Sequence, residues 1–120
     1  MEITMLKSKI HRATVTGASV DYEGSLTIDK ELMDKIGLLP YEKILCSNIN
    51  NGARFETYAI VGEFGSRQIV LNGAAARLGR VGDKLTIMAF ASVPLEKAQD
   101  LKPRILVLGE KNQIVNERGI

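Results

Sequence analysis

Apolar residues either alternate with polar ones or run briefly in eight short segments that end at Gly, Asn or Pro, and the β-branched residues concentrate there. That pattern marks short strands on a half-buried sheet. The segments are residues 4–6, 11–21, 25–28, 43–49, 54–61, 68–71, 84–93 and 104–108. An open eight-stranded sheet leaves two edges bare and needs more chain to cover its second face. With 120 residues, closing the sheet is the economical solution. The expectation is one mainly β domain over residues 1–120, a closed barrel with short helices.

Two helices interrupt the strands. The first starts at Asp29, whose carboxylate can accept first-turn N–H groups; it places Leu32, Met33 and Ile36 on one face and stops at Gly37. The second starts near Ser92 and Pro94, runs through Gln99 and is stopped by Pro103. Asn72-Gly73, followed by Ala74, Ala75 and Ala76, reads as a turn into one small helical turn whose backbone amides stay open to close approach.

Leu, Ile, Val and Phe make up 36 of the 120 residues, enough for a core, and at about 150 residues per domain the length allows only one. A net charge of +2 and six aromatic side chains give a nucleic-acid binder little to work with. No apolar stretch approaches the roughly 20 residues that span a bilayer, and the first fifteen residues carry charges where a signal peptide is apolar. The chain reads as cytoplasmic, with neither nucleic acid nor membrane as partner. Cys46 is the only cysteine and reads as a small buried hydrophobe; no cluster of side chains has metal-ligand spacing. His11 is the only histidine, and G-x-S-x-G and phosphate-loop motifs are missing, so conventional hydrolase and phosphotransfer chemistry lack their parts.

Tyr22-Glu23-Gly24-Ser25 lies between two strand segments. Read alone, it is ordinary hairpin-turn chemistry. A serine hydroxyl held against the preceding carbonyl can also attack it, converting amide to ester. Elimination and hydrolysis then leave a new carboxyl terminus and a pyruvoyl group. A glycine at the attacked carbonyl gives room for the strained geometry.

Three further segments give that reading its context: Lys7-Ser8-Lys9-Ile10-His11-Arg12-Ala13-Thr14-Val15-Thr16, Asn51-Gly52-Ala53-Arg54-Phe55-Glu56-Thr57-Tyr58-Ala59-Ile60, and Leu71-Asn72-Gly73-Ala74-Ala75-Ala76 with Val81-Gly82-Asp83. Together with Gly24-Ser25 they resemble the bacterial aspartate α-decarboxylases over about residues 1–103. The resemblance implies a six-stranded double-psi β-barrel, a homotetramer, cleavage between Gly24 and Ser25 into residues 1–24 (β chain) and 25–120 (α chain), and a covalent pyruvoyl cofactor made from Ser25. It implies decarboxylation of L-aspartate to β-alanine, upstream of pantothenate and coenzyme A, with the substrate amine held as a Schiff base. It also accounts for an enzyme so poor in catalytic side chains, because the electrophile is manufactured from the chain.

Within the matching motifs, Tyr58 has the proton-donor role, while Thr57, Gly73, Ala74 and Ala75 bind substrate. Lys9 and Arg54 are cations for the two carboxylates of aspartate, and Arg54's planar fork suits one of them best. Asn72 and Thr57 offer neutral groups for the oxyanion formed at Gly24, and His11 either lines the site or is structural. Alternation puts Arg54, Glu56 and Tyr58 on one strand face and Phe55, Thr57 and Ala59 on the other. Thr57 and Tyr58 therefore meet only at a bulge or a subunit boundary, and a tetramer favours the boundary. Leu26, next after Ser25, stands where some members carry cysteine, which leaves a processing activator protein as a further partner. One methylene separates glutamate from aspartate, so substrate choice stays open at this level. The rival readings are an uncleaved structural barrel and a small nucleic-acid-binding barrel that uses Lys7, Lys9, Arg12 and Arg54.

Overall fold

A computed structural model describes all 120 residues. Nine strands form: β1 Glu2–Thr14, β2 Gly17–Ser19, β3 Ser25–Asp29, β4 Lys43–Asn48, β5 Arg54–Gly62, β6 Ile69–Asn72, β7 Lys84–Pro94, β8 Arg104–Leu108 and β9 Ile114–Arg118. The helices are α1 Lys30–Ile36 and α2 Leu95–Ala98, with 3₁₀ turns at Gly73–Arg77 and Glu110–Asn112.

The strand order is β2-β6-β3-β5-β4-β7-β1-β8-β9. Its first and seventh members are joined by only two residues, and those residues close the barrel. The Val15 N–H donates to the Asp83 carbonyl at 2.8 Å, the Gly82 N–H donates to the Val15 carbonyl at 2.9 Å, and the Thr16 N–H donates to the Ile69 carbonyl at 2.8 Å. Counted as one bent strand, β1 and β2 make six with β6, β3, β5, β4 and β7, which is the expected six-stranded double-psi β-barrel. The pairs β2/β6 and β3/β5 run parallel and the other barrel pairs antiparallel. Ile10, Leu26, Ile28, Ile44, Leu71, Leu85 and Ile87 fill the interior, and Leu32 and Ile36 of α1 join the same core. Cys46 is fully buried, and burial pushes its thiol up to about 12.

Three expectations change. Segments 4–6 and 11–21 are not separate strands: β1 runs unbroken through residues 7–10, with register shifts at Leu6/Ser8 and Ile10/Ala13 that hide its periodicity. Val20 and Asp21 lie outside any strand, and Ser92 belongs to β7, with Pro94 as the cap of α2. The ninth strand lies beyond the segments read from sequence. The C-terminal chain adds β8 parallel to β1 and β9 antiparallel to β8. Asn112, 1% exposed, fastens it: Oδ1 accepts the Thr14 N–H at 2.7 Å, and Nδ2 donates to the Thr14 and Arg67 carbonyls at 2.9 and 3.1 Å.

Asp29 caps α1 as expected, its Oδ1 accepting the Glu31 N–H at 2.8 Å, and Gly37 ends the helix in the left-handed region. The same carboxylate accepts the Gly65 N–H at 2.8 Å, the Arg67 N–H at 2.6 Å and Arg67 Nη1 at 3.0 Å. Burial alone would raise its pKa; the backbone N–H groups of Arg67, Gly65 and Glu31 and the Arg67 guanidinium outweigh that and hold it below the ordinary 3.8. A depressed carboxylate contributes stability above its unfolded pKa, and that stability is lost as pH falls through the folded value. Asp29→Asn is therefore expected to lower unfolding stability by about 3 kcal/mol at neutral pH. Urea titrations of both proteins should show the gap constant down to about pH 4 and closing below it. A gap indifferent to acid would overturn this account.

Candidate active site

β3 begins at Ser25, and its register fixes that residue's neighbours. Antiparallel pairing sets Ser25 opposite Asn72 of β6. Parallel pairing sets Leu26 beside Ala59, so Ser25 and Tyr58 are the preceding residues on their two strands. Ser25 is fully buried. Asn72 Nδ2 donates to its Oγ at 3.0 Å, and the serine hydroxyl points to the Glu23 carbonyl at 3.4 Å. The same Nδ2 donates to Thr27 Oγ1 at 2.9 Å, so the Asn72 side chain leaves the 3₁₀ turn after it uncapped.

That turn folds over the Gly24–Ser25 junction. Gly73 has a φ of +66°, and a methyl built on it would lie 2.7 Å from both Cα and N of Gly24 and 2.9 Å from the Tyr22 carbonyl. By contrast, a methyl built on Gly24 meets nothing within 4 Å, and its φ is not in the left-handed region. The glycine whose missing side chain matters most is thus 73 rather than 24. Nor is Gly24-Ser25 a hairpin turn, since β6 lies between β2 and β3.

A cavity of about 180 Å³ opens beside the junction, lined by Gly24, Phe55, Glu56, Thr57, Ala74, Ala75 and Leu78. Thr57, Ala74 and Ala75 therefore reach Gly24, while the β3/β5 register brings Tyr58 to Ser25. Thr57 thus lines the cavity at Gly24, while Tyr58, next on β5 and on the other strand face, stands beside Ser25 in register. Tyr58 is half-buried, its ring 6.2 Å from that of Tyr41. Phe55 and Leu78 were not singled out from sequence; Phe55 shares the strand face of Thr57, a signal already present in the alternation.

Arg54, Lys9 and His11 lie elsewhere on the chain. Arg54 is exposed and four residues before Tyr58, about 13 Å along the strand. It pairs with Ser47, which pairs with Thr86 of β7, and His11 Nδ1 lies 3.3 Å from Thr86 Oγ1. Lys9 pairs with Met88 of the same strand. Neither Lys9 nor Arg54 has a carboxylate partner, whereas Lys7 pairs with Glu42 at 2.7 Å and Lys43 with Glu56 at 2.6 Å. Burial, then the charges of Lys9, Arg12 and Arg118, hold the His11 pKa below the ordinary 6.5, so the ring is neutral at pH 7.

The aspartate decarboxylase family model matches residues 1–115. This chain belongs to the aspartate decarboxylase family. The aspartate 1-decarboxylase of Clostridium acetobutylicum is 54% identical over 97% of this chain and 91% of its own. Those of Thermoanaerobacter pseudethanolicus (53% identical, 97% of this chain and 99% of its own) and Caldicellulosiruptor bescii (56%, 96% and 90%) are as similar. An aspartate decarboxylase is a carboxy-lyase, so the expected family, fold and enzyme class are borne out. The match extends past residue 103, where the resemblance read from sequence ends, and so takes in the β8 segment and the Asn112 fastening. No helix of this family member is long and apolar enough to cross a membrane.

Proposed function

We propose that the chain removes the α-carboxylate of L-aspartate as CO2 and releases β-alanine, the step that feeds pantothenate and coenzyme A synthesis in the cytoplasm. It becomes active by cleaving itself between Gly24 and Ser25 into residues 1–24 and 25–120, with Ser25 becoming the pyruvoyl group. The observation that carries this reading is the buried Ser25 hydroxyl, held by Asn72 at 3.0 Å beside a cavity that Gly24 itself lines. Once formed, the pyruvoyl group supplies a ketone for the substrate amine and an adjacent carbonyl that takes up the electrons freed as CO2 leaves.

The side chains divide the remaining work. Thr57 and the turn from Gly73 to Ala75 hold substrate oxygens in the cavity, and the Tyr58 phenol returns a proton to the substrate carbon. Lys9 and Arg54 bind carboxylate. Both cations are unpaired, and neither lines the cavity at Gly24, so they serve the cavity of a neighbouring subunit in a homotetramer. Exposed Phe90, Tyr41, Leu39 and Phe64 supply apolar surface for such contacts. A neutral His11 beside Lys9 lines the same boundary and adds no charge to it.

The denatured mass spectrum of fresh protein tests the proposal. Cleavage gives chains of 24 and 96 residues. Exchange of the new amine for a ketone makes their masses sum to about one dalton above the precursor, while simple hydrolysis adds a whole water. Incubation with cell extract separates unaided cleavage from cleavage that needs an activator protein. A chain that stays whole through heat and extract would overturn the pyruvoyl reading.

A further inference from the structure

The Asn72 amide touches two hydroxyls, and only one belongs to the residue to be transformed. Ser25 and Thr27 stand two apart on β3 and so share a face, with Asn72 opposite the first and Val70 opposite the second. Asn72 is 4% exposed, and its Nδ2 carries two hydrogens: one reaches Ser25 Oγ at 3.0 Å and the other Thr27 Oγ1 at 2.9 Å. The serine's own proton is thereby directed away from Asn72, toward the Glu23 carbonyl at 3.4 Å.

We infer that Thr27 is a positioning residue for self-cleavage: its hydroxyl pins the Asn72 amide with an N–H aimed at Ser25 Oγ. The inference rests on the proposed processing of Gly24-Ser25. Negative charge builds on Oγ twice in that sequence. It builds first as the Oγ–H proton leaves; the forming Oγ–C bond then passes the charge to the Gly24 carbonyl oxygen, and the Gly24–Ser25 C–N bond breaks with the nitrogen taking up a proton. It builds again when loss of the Ser25 Cα proton expels Oγ from Cβ as one oxygen of the Gly24 carboxylate. Water then replaces the enamine nitrogen, which leaves as ammonia, so atoms and electrons balance. An N–H held at Oγ stabilises both stages. Without the Thr27 acceptor, one amide hydrogen loses its partner and the amide is free to turn its oxygen toward Ser25, where it accepts a proton and no longer donates one.

The test compares Thr27→Val, which keeps the branched shape, with Thr27→Ser, which keeps the hydroxyl. Cleavage of freshly made full-length chain is followed by mass and melting temperature is measured on the same samples. Thr27→Val should cleave roughly tenfold more slowly than the unaltered protein. Thr27→Ser should cleave at the unaltered rate and melt at the unaltered temperature, while Thr27→Val melts about 4 °C lower for the hydrogen bond it loses. Equal rates in all three proteins overturn the inference. So does a slow Thr27→Ser, which assigns the effect to the lost methyl, or an equal slowing in Leu106→Val, which lowers the melting temperature from the core side of β8 without touching Asn72. An unaltered protein that never cleaves overturns the processing reading itself, and with it this one.

Discussion

Ser25→Ala is expected to leave one uncleaved chain with no ketone and no detectable release of CO2 from aspartate. The substitution removes the only oxygen that the proposed attack can use. No neighbour can replace it: Cys46 is the only thiol, is fully buried on β4, and has its ionisation pushed up to about 12. The Thr27 hydroxyl lies beyond the bond to be cleaved. Folding should survive, since position 25 is buried and Asn72 keeps its bond to Thr27 at 2.9 Å, so the loss amounts to about one hydrogen bond, near 1 kcal/mol. Mass, carbonyl labelling and a melting curve on one preparation separate chemistry from misfolding. A cleaved, active Ser25→Ala protein would sink the mechanism, and an uncleaved but active one would sink the cofactor.

The parts of this molecule legible in the sequence were those governed by local rules. Strands β3 to β8 and the Asp29 to Gly37 helix were read near their true bounds because alternation and capping are written within a few residues. β1 reads as two segments because its bulges shift the alternation out of phase at residues 7 and 11–12, a tertiary accommodation with no local mark. β9 has no local mark because four of its five residues are exposed, so no apolar face announces it. The site divides in the same way. Asn72, Thr57 and Ser25 were found through their motifs, and the structure brings all three to one junction. The second task of Asn72, its bond to Thr27, depends on the β3/β6 register, and register is not visible until two strands are paired. Gly24 is the glycine of the cleaved bond, while the glycine on which a side chain would strike that junction is Gly73, 49 residues later.

That difference yields a sharp contrast. Gly73→Ala is expected to slow cleavage at least about a hundredfold, and Gly24→Ala far less, the reverse of what proximity to the scissile bond suggests. At position 73 the new methyl would sit 2.7 Å from Gly24 Cα and N, with a φ of +66° that disfavours alanine. The left-handed backbone costs about 1–2 kcal/mol, and forced packing adds about 1–3 kcal/mol. Backbone rather than a flexible side-chain tip stands in the way, so a chain segment must move. Ser25 is pinned by pairing to Asn72, and Gly73 follows directly from β6, which leaves the strand-free residues 22–24 to yield. Their shift carries the Gly24 carbonyl away from Ser25 Oγ, and an error near 1 Å in the placement of reacting groups is worth about a hundredfold in rate. At position 24 a methyl meets nothing within 4 Å and needs no left-handed backbone. Time courses of cleavage for the two variants, read by mass, test the contrast directly. Equal slowing in both would place the constraint at the scissile bond itself and remove the turn after β6 from the processing machinery.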